Sequence, residues 1–164
     1  VLSGQKTVTR RIVKNNDTPP YLTGDILYVR ETWTMLKDAD GTCRYAYRAD
    51  ADEGAAPLFK WKPSIHMPKN AARIWLRVTD VHMAQLQDMS VEDCRKEGIY
   101  DNYETLSKEY HDMLMEKAYP ETFGKLWDST IPKKELQKYG WKANPMVWVI
   151  TFKRCEDTHE KGEK

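Results

Sequence analysis

Within eight residues, Gly4-Gln5-Lys6-Thr7-Val8-Thr9-Arg10-Arg11, the chain collects a glycine, an amine, a hydroxyl three residues later and two guanidiniums. Three readings suit that set. Lys and Arg beside a hydroxyl offer donors and positive charge to a phosphate. Neighbouring cations can also depress a lysine's pKa, so that Lys6 takes the proton of Thr9 and activates a weak nucleophile. The third reading is a solvated basic turn without chemistry. Backbone conformation bears on the choice: in an extended segment Lys6 and Thr9 point to opposite faces, whereas in a turn or helix they lie together.

The elements that must position this stretch are legible in outline. Ile26 to Trp33 reads as a strand rich in β-branched and aromatic residues. Asp38-Ala39-Asp40-Gly41 is a turn, and Cys43 to Arg48 is the return strand of a hairpin. Residues 49–70 are broken by Gly54, Pro57, Pro63 and Pro68 into a long loop holding Trp61, His66 and Met67. Ala72 to Met83 is the longest strand-like run. Ser90-Val91-Glu92-Asp93 has the form of a capping box, and the helix it opens should end at Gly98. Tyr103 to Ala118 has a helical period with Leu106, Tyr110, Met113 and Leu114 on one stripe. Pro120 restarts a short helix carrying Phe123, Leu126 and Trp127, residues 128–145 form a loop, and Met146 to Lys153 is a final strand. Strands and helices are grouped rather than alternating, which predicts an α+β fold.

The whole chain sets bounds on function. It has 164 residues, 40% hydrophobic and 31% charged, with 26 Lys and Arg against 25 Asp and Glu. That length suits one domain, 1–154, followed by a charged tail, 155–164. Mean hydropathy is −0.76 and no apolar run approaches the roughly 18 residues of a membrane span, so no membrane partner is expected. A net charge of +1 disfavours a binder of long duplex DNA by bulk charge. The balance hides a division. Residues 1–14 carry a local charge of +4, while Asp88 to Asp112 holds eight acids against three bases. Cys43, Cys94 and Cys155 are odd in number and widely spaced, and His66, His82, His111 and His159 form no ligand pair. No metal or other cofactor is therefore expected, and reduced thiols without a signal pattern suggest a cytoplasmic protein. The chain does not start with Met, and the expectation is that a native N-terminal segment precedes it.

Gly4-x-Lys6-x-x-Thr9-x-Arg11 resembles the G-x-K-x-x-T-x-R motif of the ASCH domain, a family of the PUA-like superfamily. Gly24-Asp25-Ile26-Leu27-Tyr28-Val29-Arg30-Glu31-Thr32-Trp33 is similar to a strand block of its phage and prophage branch. Ser64-Ile65-His66-Met67-Pro68, Phe123-x-x-Leu126-Trp127-Asp128-Ser129 and Trp141-x-Ala143-Asn144-Pro145-Met146-Val147-Trp148-Val149 resemble later blocks. The resemblance covers nearly the whole chain.

What the resemblance implies is a PUA-like bent β-barrel with flanking helices, whose additional first strand and helix lie before Gly4. It implies a cleft that recognises RNA or a modified nucleoside. It also implies two alternatives: an amidohydrolase of N4-acylated cytidine or a ribonuclease, and a non-catalytic phage accessory or assembly protein. In amidohydrolase members a Lys, a Thr and a helix Glu form the catalytic set. These carry over to Lys6, Thr9 and Glu97, with Glu92 the second choice for the carboxylate. Gly4, Arg10 and Arg11 would line the ligand site, with Arg11 holding an oxyanion or phosphate. Trp33, Tyr28 or Trp61 would stack on a base. Glu31 and His66 are further candidates for ligand contact, although Glu31 beside Arg30 suits an ion pair and a loop histidine is commonly polar surface. The resemblance says nothing of oligomeric state.

Overall fold

In the computed structural model of the protein, residues 4–14, 18–52, 54, 56–99 and 108–156 are described. They form a mixed α/β arrangement of strands β1 (Val8–Ile12), β2 (Ile26–Tyr28), β3 (Trp33–Lys37), β4 (Cys43–Tyr47), β5 (Trp75–Gln85) and β6 (Met146–Cys155), with helices α1 (Val91–Lys96), α2 (Lys108–Thr130) and α3 (Leu136–Tyr139). One sheet has the order β1-β6-β5-β2, and β3 pairs with β4 in a second. The chain divides into two compact units, one of Val1–Asp25 with Arg77–Lys153 and one of Ile26–Leu76 with Arg154–Lys164.

In the first unit, β1 pairs antiparallel with β6, setting Thr9 opposite Ile150, Arg10 opposite Val149 and Arg11 opposite Trp148. Strand alternation buries Val8 and Arg10, leaves Arg11 exposed and half-exposes Thr9. The core gathers Val8, Leu86, Cys94, Val147 and Val149 from the sheet and α1 against Tyr119, Phe123 and Trp127 of α2. Those three aromatics recur every four residues, so they form one stripe on the helix. Helix α1 starts as the sequence predicts. Ser90 accepts from the Asp93 backbone N–H while the Asp93 carboxylate accepts from the Ser90 backbone N–H. It also stops as predicted. Gly98 takes φ +94°, its N–H donates to the Arg95 carbonyl at 2.8 Å, and the Ile99 N–H donates to the Cys94 carbonyl at 3.1 Å. This paired C-terminal closure leaves Glu97 as the capping residue.

Helix α2 differs from expectation. It passes through Pro120 without ending. Proline removes one backbone hydrogen bond, at a cost of about 3 kcal/mol. Burial of Tyr119, Phe123 and Trp127 on both sides of it offsets that, at about 1.5–3 kcal/mol per large apolar side chain. The expected stripe residues Leu106, Tyr110, Met113 and Leu114 lie outside what is described, at least in their side chains. The expected loop 128–145 is instead a run of helical turns that includes α3. Gly124 is what lets α2 approach this run, since a Cβ there would sit 2.8 Å from the Trp141 ring.

In the second unit the hairpin turn at Asp38 to Gly41 forms as expected, but its first strand is β3 rather than Ile26 to Trp33. The chain breaks after Tyr28: the Val29 N–H donates to the Ile74 carbonyl, and Trp33 restarts a strand against β4 and Lys62. Trp33, Met67 and Ala71 form this unit's core.

Candidate functional site

Glu97 organises the site. As the cap of α1 it is 6% exposed, and it lies against the segment that leads into β1. Its Oε2 accepts from Lys6 Nζ at 2.7 Å and its Oε1 from Arg10 NH1 at 3.0 Å. Lys6 Nζ also donates to the Glu97 backbone carbonyl at 2.7 Å. Carbonyls at a helix C-terminus carry partial negative charge, so the helix end itself favours a cation here. The Thr7 N–H donates to the Lys96 carbonyl at 2.9 Å, which ties the backbone of the motif to the same helix end. The basic segment thus meets the acidic stretch at one carboxylate. A buried charge demands such pairing, because desolvating it alone is costly.

The segment is extended from Val8 onward, and the alternation has a chemical result. Lys6 and Arg10 share the Glu97 side. Thr9 and Arg11 share the other, where Arg11 NH1 donates to Thr9 Oγ1 at 3.1 Å and to the Arg10 carbonyl at 3.0 Å. Of the carried-over set, Lys6 and Glu97 are in direct contact, and Thr9 is bonded to Arg11. All three border one cavity of about 320 Å³, together with Arg10, Arg11, Phe123 and Trp127. A cavity of that size is within the range of small-molecule sites.

Lys6 has three ammonium hydrogens, and Glu97 takes two of them, leaving one for a ligand. Arg11 uses only NH1, so among the described residues its Nε and NH2 donors have no protein partner. Arg10, expected to line the ligand site, borders the cavity but is almost wholly buried. Its side chain is 4% exposed, its guanidinium lies 5.9 Å from the Phe123 ring centroid, and its buried Nε has no partner among the described residues. Its role is to hold Glu97 from behind. Cys94, one turn earlier on α1, is fully buried, and burial pushes its thiol up to about 11. A Cβ at Gly98 would lie 3.5 Å from Lys6 Cβ, an ordinary contact, so it is the left-handed φ and not space that calls for glycine here. Gly4, at φ +77°, is exposed with open space around it and supplies the turn into the motif rather than a cavity wall.

Glu31, Trp33 and His66 lie in the second unit, and Glu92 in the first. Glu31 forms its ion pair with Arg73, not Arg30: Arg73 Nε and NH2 donate to its two oxygens at 2.9 and 2.8 Å. Arg73 also donates to Asp50, and these two carboxylates hold its guanidinium firmly charged. Arg30 instead lies over Tyr28. Trp33 is 5% exposed, with Tyr45 edge-on to its ring and Lys62 Nζ 4.6 Å from its centroid, so its faces are already covered. His66 closes a 3₁₀ turn, Ser64–His66, and is exposed. Glu92 is exposed and pairs loosely with Arg95 at 3.8 Å, which leaves Glu97 as the buried carboxylate of α1.

The aromatic wall of the cavity was readable only as a core stripe. Phe123 and Trp127 have helical spacing, and nothing in that spacing separates a core face from a cavity rim. Trp127 Nε1 donates to the Tyr139 carbonyl at 2.8 Å, which fixes the indole in place. Among the described residues no group of three or more His, Cys, Asp or Glu could hold a metal ion, and no helix is long and apolar enough to cross a membrane. Comparison with protein-family models, with curated proteins and with solved structures finds no match to the chain.

Proposed function

We propose that the first unit is an ASCH-type, PUA-like module whose cavity recognises a nucleoside, free or within a short single-stranded RNA. The observation that carries this reading is the buried Glu97 carboxylate, gripped by Lys6 and Arg10 at the edge of an aromatic-walled cavity that Thr9 and Arg11 also border. Phe123 and Trp127 are nearly buried, so they offer a base the apolar wall of the cavity rather than open stacking faces, and its hydrogen bonds are made at its edge. Lys6 and Arg11 suit the oxygens of a phosphate or carbonyl.

The Lys6–Glu97 contact favours a hydrolytic version of this reading, removal of an N4-acyl group from cytidine. In it, Lys6's remaining N–H and the free Arg11 donors hold the acyl oxygen as it becomes an oxyanion. Thr9 Oγ bonds to the acyl carbon from the Arg11 side of β1, Glu97 on the other side takes the hydroxyl proton through a water in the shared cavity and passes it to the exocyclic N4 amine as the C–N bond breaks, and water then hydrolyses the ester. Arg11's bond to Thr9 Oγ1 occupies one lone pair and leaves the hydroxyl proton free to be taken.

The test is incubation of the full chain with N4-acetylcytidine, followed by chromatography for cytidine, alongside calorimetric titration of the same nucleoside. Turnover that falls at least about 100-fold in Lys6→Ala and Thr9→Ala is the expected result. Binding without turnover at high enzyme concentration removes the hydrolytic step and keeps recognition. Neither binding nor turnover, with modified nucleosides and short RNAs alike, leaves the ion-pair cluster a structural feature of a non-catalytic accessory protein.

A further inference from the structure

The cavity does not end at Arg11. A second hollow of about 530 Å³ in the same unit is lined by Arg11, Ile12, Lys14, Thr18, Tyr21 and Trp148, among others. Arg11 and Ile12 border both hollows, so the two adjoin along β1. Three properties of the second hollow stand out. Among the described residues that line it there is no carboxylate. It presents two cations: Arg11, with Nε and NH2 uncommitted, and Lys14, whose side chain is 60% exposed and only loosely paired with Glu135 at 3.8 Å. The Lys14 ammonium also lies 5.5 Å from the Tyr139 ring centroid, at the rim of the hollow rather than in it. Of its two aromatic residues Tyr21 is half-buried and can meet a base, whereas Trp148, directly opposite Arg11 in the β1–β6 register, is buried and forms part of the floor.

A cation at the junction of two hollows, each with aromatic lining, matches the repeat of a single strand: base, phosphate, base. Successive bases stack on aromatic residues while Lys and Arg follow the backbone between them. Resting on the cavity reading above, we propose that the two hollows form one site for a single-stranded oligonucleotide. The recognised base occupies the cavity, the linking phosphate sits at Arg11, and the adjoining nucleotide lies in the groove against Tyr21 and Lys14. The preferred substrate is then a base within a strand rather than a free nucleoside. A strand also agrees with the low net charge, which disfavours duplex binding, since the cavity takes a base only when it is unpaired.

The experiment compares calorimetric affinities of the full chain for N4-acetylcytidine and for a single-stranded tetraribonucleotide containing it. The wild type is expected to bind the tetranucleotide at least about tenfold more tightly. Tyr21→Ala and Lys14→Gln should each bring tetranucleotide affinity down towards that of the nucleoside, with Lys14→Gln also flattening the salt dependence by about 0.7 in log–log slope. Thermal unfolding of both variants confirms that they are folded, and Lys14→Gln, on an exposed side chain, keeps the test valid if Tyr21→Ala unfolds. A nucleoside that binds as tightly as the tetranucleotide overturns the extended site and leaves the cavity reading standing. A tetranucleotide advantage untouched by both variants does the same. Absence of binding to either probe overturns the cavity reading and the extended site together.

Discussion

Glu97 is the residue on which the site depends. It answers two cations at once, and one of them, Arg10, is as buried as Glu97 itself. Glu97→Ala should therefore destabilise the protein by about 3–5 kcal/mol, the cost of leaving a buried charge unpaired, measured by denaturant unfolding. Glu97→Gln, which retains hydrogen-bonding capacity, should cost less, while turnover should fall in both. Asp93 provides a pH signature. Burial works against its ionised form, but the backbone and hydroxyl donors of Ser90 outweigh that and hold its carboxyl below the usual range. A depressed folded value means its stabilisation is complete above about pH 4 and disappears as the pH falls through the folded value. Acid unfolding followed by circular dichroism should show this loss in the wild type, and Asp93→Asn should lack it. Cys94 should resist thiol reagents until the protein unfolds, whereas exposed Cys43 should react at once, as counted by mass spectrometry under native and denaturing conditions.

At the scale of elements, legibility followed local chemistry. Ser90 and Gly98 mark the two ends of α1 because caps are satisfied by neighbours within four or five residues. Asp38 to Gly41 marks its turn for the same reason. What failed was decided by distant partners. Pro120 looked like a helix break, but core packing carries α2 through it. Glu31 looked paired to its neighbour, but Arg73 reaches both of its oxygens from 42 positions away. Lys6 and Glu97 could be associated by resemblance to a family, and no local pattern joins residues 91 positions apart. Nor did anything local reveal that Arg10 is buried and Arg11 exposed. That follows from the phase of β1 against β6. The glycines are testable at this scale. Gly98→Ala should cost about 1–2 kcal/mol because its left-handed backbone disfavours a Cβ. Gly124→Ala should also destabilise, despite alanine's higher helix propensity, because the added carbon meets the Trp141 ring. Thermal unfolding checks both.

For the whole molecule, a net charge of +1 is the sum of opposed regions rather than a uniform neutrality. The acidic stretch supplies Glu97 to neutralise part of the basic segment, and what remains is the Arg11 and Lys14 face, where Lys14 is only loosely paired with Glu135. Ligand affinity should therefore fall with salt only gently. One or two phosphates on a single strand give a log–log slope of about −0.7 to −1.4, far from the steep dependence of a duplex-wrapping protein. A much steeper slope would point to a broader basic surface than this one.

The sheet order has a consequence for how the protein is made. Among the described strands β1 has one neighbour, and that neighbour is β6, at residues 146–155. During synthesis the ties from Lys6 and Thr7 to the end of α1 can form before β6 exists, yet Thr9, Arg10 and Arg11 lack their strand partner until residues 146–155 have been made. A chain halted short of residue 146 thus carries the motif and Glu97 without the strand that sets the phase of β1.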